Sequence, residues 1–325
     1  MPVDQGLAEL SDNLLFVATL CYVVAMLGYA AEFAFGRRAP RTATALPPIA
    51  GGSVDTLPAG VGSGELSGRR TSRRSWAGGV GRASVAVTVL GWGLHVGSVV
   101  TRGLSVDRVP WGNMYEYSSV LALAAVSTFL FLLTRQPIRY LGALVMLPVV
   151  VQLGIASTAL YAPAKPLIPA LNSYWLKIHT SAAVLSSGIF MFAFAATVLY
   201  LVKDRSERRT GGSSRGALGH LPAAAAIDRV AYRTTAFAFP IWTFAVIAGA
   251  IWAGEAWGKY WQWDPKETWA FITWVVYAGY LHARATAGWK GRRAAIVGVV
   301  GFVALMFCYY GVNIWIPGLH SYADI

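Results

Sequence analysis

Between Trp252 and Trp269 the chain reads Trp-Ala-Gly-Glu-Ala-Trp-Gly-Lys-Tyr-Trp-Gln-Trp-Asp-Pro-Lys-Glu-Thr-Trp, so that five tryptophans and one tyrosine fall within eighteen residues. Histidine is scarce by contrast: His95, His179, His220, His282 and His320. Indole rings offer rigid stacking area and one N–H donor at the edge. Neutral imidazole is a common metal ligand and a frequent axial ligand of haem iron. Together these residue types suit a large, flat, apolar molecule held at a membrane surface. Haem meets that description.

The histidines fall into two groups. His179, in Asn172-Ser173-Tyr174-Trp175-Leu176-Lys177-Ile178-His179, and His320, in Gly318-Leu319-His320-Ser321-Tyr322, lie at the ends of apolar runs. Adjacent runs would bring both to the rim of the aromatic loop, where two imidazoles could fill both axial positions of one iron. His95, in Gly91-Trp92-Gly93-Leu94-His95, and His282, in Tyr277-Ala278-Gly279-Tyr280-Leu281-His282, lie inside apolar runs. Ionisable groups at that depth face a bundle interior, a partner or a ligand, and a helix-to-helix hydrogen bond is the ordinary alternative. Their depths do not match easily, since His282 lies roughly 22 Å below the start of its run at about 1.5 Å per residue. His220 stands beside Gly219 in a basic loop and reads as a solvated residue.

Within the loop, Trp257 and Trp261 are four apart and would share a face if the segment were helical. Tyr260 and Trp263 would extend that surface, with Trp252 and Trp269 at its ends. Asp264-Pro265-Lys266-Glu267 has the form of a helix start: Asp as cap, Pro at the first position and Glu three residues on. Asp264 is therefore expected to cap a helix as well as border the aromatic surface. Lys259 and Lys266 are either partners for haem propionates or ordinary solvated charges.

Apolar elements must position these residues. Of 325 residues 56% are hydrophobic and only 13% charged, against about a quarter charged in a soluble domain. With a mean hydropathy of +0.50, the chain reads as an all-α polytopic membrane protein. Eight runs approach the about 20 residues a spanning helix needs: 13–35, 81–103, 117–134, 140–160, 179–202, 234–252, 267–283 and 294–314. The first run is long and has no small-residue cleavage site, so it is expected to remain as a span.

If the N-terminus is outside, the inner loops carry 21 Lys and Arg and the outer segments 6. Basic residues favour the cytoplasmic side, so both termini are expected outside and the tryptophan loop falls outside between spans six and seven. The net charge of +12 is thereby explained by orientation, without nucleic acid. Residues 1–80 read as a first span followed by a flexible, basic Gly/Ser/Pro-rich cytoplasmic linker from 36 to 80. Residues 81–325 read as the ligand-handling membrane domain, with the loop at 252–269. Cys21 and Cys308 stand alone in different apolar runs and read as packing residues.

The segment from Trp257 to Ala270, continuing into Thr273-Trp274 and ending Tyr280-Leu281-His282, resembles the tryptophan-rich "WWD" signature of the haem-handling protein family, and within it the CcsA/ResC-type proteins of system II cytochrome c biogenesis. Pro110-x-x-Asn113-x-Tyr115-Glu116, Tyr174-Trp175 to His179 and Gly318 to Tyr322 are similar to that family too, and the likeness covers roughly residues 85 to 325. It implies that the aromatic loop (Trp252, Trp257, Tyr260, Trp261, Trp263, Asp264 and Trp269) presents haem b, iron protoporphyrin IX, at the outer face. His179 and His320 are the implied outer axial ligands, and His95 and His282 the implied membrane ligands.

A ResB/Ccs-type membrane partner is implied to complete a cytochrome c haem lyase. Haem vinyls would then be joined to the Cys-x-x-Cys-His thiols of an apocytochrome c, kept reduced by thioredoxin-like proteins. Ala-, Gly- and Arg-rich usage points to a bacterial plasma membrane ahead of a thylakoid. Three other readings stay open: a haem exporter or chaperone that attaches nothing, a transporter of another substrate, and a structural anchor whose site stays loaded.

Overall fold

The computed structural model describes residues 3–35, 64–166, 173–212 and 216–320. Among these there is no strand, and eight long helices stand where the eight apolar runs predict them. They are α1 (Gln5–Phe35), α2 (Gly64–Ser105), α3 (Met114–Arg135), α4 (Gly142–Ala159), α5 (Tyr174–Arg209), α6 (Ala224–Trp257), α7 (Pro265–Ala285) and α8 (Arg292–Met306). A π-helical turn, Phe307–Gly311, continues α8 into the short α9 (Val312–Trp315). The protein is a polytopic membrane protein: seven of its helical segments are long and apolar enough to cross a bilayer.

The helix not among those seven is α7. Its Lys266, Glu267, His282 and Arg284 depress its hydropathy. Arg284 is neutralised by a paired bond to Asp228 of α6 at 2.8 and 2.9 Å. Helix α2 reaches back to Gly64, so residues 64–80 of the expected linker are helical. Residues 36–63 of that linker lie outside the described residues.

Helix α5 is the central element. In its apolar window 78% of the residues are buried, against 28–50% in the other spans. It packs on α3, α6 and α8, while α1 lies against α2 and α4. Small residues permit the closest crossing: a Cβ on Gly188 of α5 would fall 2.5 Å from the Ala124 Cβ and 2.7 Å from the Leu121 carbonyl oxygen of α3. Backbone cannot yield as a flexible side chain can. Gly188→Val is therefore expected to cost about 1–3 kcal/mol through forced helix separation, read as a lowered thermal midpoint in detergent. An unchanged midpoint would mean that α3 and α5 are not in such close contact.

Side-chain caps close the starts of α3, α5 and α7 at the aromatic end of the bundle. Asn113 accepts from the Glu116 amide at the start of α3, and Ser173 accepts from the Trp175 amide at the start of α5. Asp264 and Glu267 form a full capping box at the start of α7, with Pro265 in the first turn. These caps satisfy amides that a helix start otherwise leaves open.

Candidate functional site

The starts of α3, α5 and α7 and the ends of α2, α6 and α9 meet at that same end of the bundle. They enclose a cavity of about 220 Å³ whose walls include His179, Trp252, Lys266, Tyr309, Asn313 and His320. Thus His179 and His320, 141 positions apart in the sequence, open onto one space.

Each imidazole is held from behind. His179 stands on the second turn of α5, and its Nδ1 lies 2.8 Å from the Ala245 carbonyl oxygen of α6. A carbonyl only accepts, so Nδ1 carries the proton and Nε2 keeps its lone pair. Gly249 makes the approach possible, because a Cβ there would sit 2.7 Å from His179 Nδ1. Gly249→Ala is expected to push the ring off the Ala245 carbonyl and weaken any ligand bound at Nε2 by about tenfold or more. Titration of that ligand checks this, and unaltered affinity would remove Gly249 from the account.

His320 is held by Asp264: its Nδ1 donates to Oδ2 at 2.8 Å, and the Leu319 amide donates to Oδ1 at 2.7 Å. The chain must pass very near, and Gly318 allows it, since a Cβ there would lie 2.6 Å from Asp264 Oδ1. Asp264 thus does two jobs, capping α7 and fixing the tail that carries His320. Burial pushes its carboxyl up, but the hydrogen bonds from His320, Leu319 and the Lys266 amide outweigh that and hold it below its ordinary value. A carboxylate behind a histidine fixes the tautomer and raises the basicity of the free nitrogen.

Trp252 lies beside both histidines. Its ring lies parallel to His179 with centroids 6.4 Å apart, and it meets Trp257 and His320 edge-on at 4.8 and 5.7 Å. It is only 2% exposed, yet among the described residues its Nε1–H has no hydrogen-bond partner. Buried indole N–H groups usually find one, so this donor fits a ligand that brings an acceptor or a π face.

The other loop aromatics divide differently from the helical expectation. Helix α6 ends at Trp257, and Gly258 caps it in the left-handed conformation with φ +73°. Trp257 and Trp261 therefore do not share a helical face. Trp257 packs on His320 at 4.9 Å, while Trp261 joins Trp263 and Phe271 at 5.7 and 6.2 Å. Tyr260 and Trp263 are largely exposed, at 69% and 65%. Trp263 has a positive φ of 60°, uncommon for so bulky a residue and a mark of local strain. Trp269 packs at a tilt against Phe307 in the π-helical turn, with ring centroids 4.2 Å apart. Such turns cluster at functional sites, and this one carries Tyr309 to the cavity wall.

The structure gives the two membrane histidines separate surroundings. His95 is fully buried; its Nδ1 faces the Tyr22 hydroxyl of α1 at 3.3 Å and its Nε2 the Ser119 hydroxyl of α3 at 2.9 Å. His282 is exposed on the last turn of α7. No hydrogen bond or ring contact joins them among the described residues. Helix-to-helix bonding satisfies both ring nitrogens of His95.

Some contributors were not legible in advance. The Ala245 carbonyl and Gly249 carry no sequence signal. Arg102 and Arg108, counted only as outer basic residues, converge on buried Glu116: Arg102 Nε lies 3.1 Å from it and Arg108 bonds it at 2.7 and 3.0 Å. Arg108 also lines the cavity. The Pro110 to Glu116 motif was the available signal.

These features define a class: a helical polytopic membrane protein with two back-braced imidazoles beside a buried tryptophan in one end cavity. A family model described as cytochrome C assembly protein matches residues 111–320, and the chain belongs to that family. It is similar to the cytochrome c biogenesis protein CcsA of Heterosigma akashiwo (strain NIES-293 / 8280G21-1), 38% identical over 253 residues, covering 68% of this chain and 79% of that protein. The CcsA of Synechococcus elongatus is 35% identical over 288 residues, covering 75% of this chain and 87% of that protein. Among solved structures, one titled cytochrome c heme lyase CcmF superposes with a TM-score of 0.63 at 15% identity. It covers 95% of this chain, but this chain spans only 47% of that one. That likeness speaks for the fold.

Proposed function

We propose that this protein holds haem b at the outer membrane face, between His179 and His320, and presents it for covalent attachment to an apocytochrome c. The observation that carries this reading is the shared arrangement of the two imidazoles: both line one cavity, and each has Nδ1 engaged from behind and, among the described residues, no hydrogen bond at Nε2. Two neutral imidazoles suit a metal whose other positions are filled by a macrocycle. The unpaired Trp252 N–H and the ring walls around it suit the macrocycle's flat face. The cavity, about 220 Å³, is smaller than the about 300–1,000 Å³ of pockets that enclose drug-sized ligands. It would grip part of a porphyrin and leave an edge outside.

Haem supplies the iron and the vinyl groups that receive the substrate's thiols. The chain's own contribution is placement. Ala245 and Asp264 fix the imidazole tautomers, Trp252 and Trp257 wall the ring, and the caps of α5 and α7 hold both helix starts in place. This is catalysis by proximity and orientation. A ResB/Ccs-type partner completes the lyase in this reading, and the compartment is a bacterial plasma membrane, consistent with Ala-, Gly- and Arg-rich usage.

Co-expression with such a partner and a Cys-x-x-Cys-His apocytochrome tests the reading. Covalently haem-stained cytochrome is expected, and it should vanish when this chain is omitted. Staining that persists without the chain would contradict it. Haem bound by the chain but never attached to the substrate would favour the exporter reading.

A further inference from the structure

We infer that Lys266 pairs with a propionate carboxylate of the porphyrin and thereby sets which edge of the ring faces outward; this rests on the haem reading above. Lys266 follows Pro265 at the start of α7, and its side chain lines the cavity shared by His179 and His320. Its ammonium donates to Asn313 Oδ1 at 2.7 Å and lies 5.9 Å from the centre of the Tyr309 ring. An ammonium has three donors. Among the described residues Nζ makes no other hydrogen bond, and no ion pair includes Lys266.

Asp264, two residues back, is already occupied by His320, Leu319 and the Lys266 amide. Asn313 and Tyr309 orient the cation but do not neutralise it. Asp264 lends Lys266 a nearby negative charge, but among the described residues no carboxylate reaches Nζ as an ion pair, and a half-buried charge left unpaired is costly, so the open donors call for an anion brought by the ligand. The other cations are less suited. The Arg108 guanidinium is spent on Glu116 and on the carbonyls of Val109 and Lys165. Lys177 and Lys259 are exposed.

The consequence is orientation. Protoporphyrin carries its propionates along one edge and its vinyls elsewhere on the rim. Two imidazoles on the iron leave rotation about their common axis free. A fixed cation removes that freedom, and Lys266 does so from the same turn of chain that anchors His320 through Asp264. Lys266 is thus a positioning residue.

The test titrates the purified full-length chain with haem and with haem dimethyl ester, which lacks the propionate charges. Wild type is expected to prefer haem by about tenfold to a hundredfold, the worth of one charge-assisted hydrogen bond. Lys266→Gln should lose that preference and keep its affinity for the ester, while Lys266→Arg should retain the preference. Equal wild-type affinity for the two porphyrins overturns the inference, as does a Lys266→Gln variant that weakens both equally. A wild-type chain that binds neither porphyrin overturns the haem reading itself. Should Lys266→Gln not fold, the wild-type ratio and Lys266→Arg decide, and loss of preference in the arginine variant counts against the pairing.

Discussion

Alanine in place of either His179 or His320 is expected to lower haem affinity by at least about a hundredfold and to reduce attachment to apocytochrome c in step. The floor for this figure comes from outer partners of metal-bound histidines, whose removal alone costs about 10–100-fold. Losing the imidazole itself costs more. Because both side chains would act on one iron, their effects should not add, and the double variant should be little worse than the weaker single one. Fold should survive, since His320 lies in the tail and, among the described residues, the His179 side chain makes one hydrogen bond, to the Ala245 carbonyl. Haem titration and covalent haem staining check these expectations together. Full attachment in both single variants would remove the two histidines from the site.

The second large effect concerns Asp264, where two roles can be separated. Asparagine is as good a helix cap as aspartate, whereas alanine costs a helix about 1 kcal/mol. Asp264→Asn should therefore leave the thermal midpoint nearly unchanged while weakening haem binding about 10–100-fold, because His320 loses its charged partner. Asp264→Ala should lose both. The pH response has a definite sign. The Asp264 carboxyl is held below its ordinary value, so the anchoring bond is complete above about pH 4 and fails only as pH falls through its lower folded value. Haem release traceable to this residue is expected on the acid side, with none between neutrality and pH 5. A midpoint that drops equally in the asparagine and alanine variants would mean that Asp264 serves the cap alone.

Helix positions were legible from the sequence because bilayer thickness demands long apolar runs, and eight such runs became eight helices. The least apolar of them, α7, was legible through its start signal, Asp264-Pro265-Lys266-Glu267, which forms the capping box its spacing predicts. The convergence of His179 and His320 followed from placing both at run ends on one side.

What stayed hidden depended on tertiary contact. Trp257 and Trp261 look like one helical face, but Gly258 ends the helix between them and sends the second indole to Phe271. His95 looks like a candidate ligand by depth alone, yet Tyr22 and Ser119 already occupy its two nitrogens. The partner that orients His179 is a backbone carbonyl, which any residue supplies and no sequence pattern marks. Lys266 could not be told from a solvated charge until its place on the cavity wall, with Asn313 as its one hydrogen-bond partner among the described residues, was seen.

The absorption spectrum of the purified chain loaded with haem tests the central claim most directly. Ligation by His179 and His320 predicts a low-spin, six-coordinate spectrum in the wild type that becomes five-coordinate in each alanine variant. A chain that takes up no porphyrin, or two alanine variants that keep the wild-type spectrum, would contradict it.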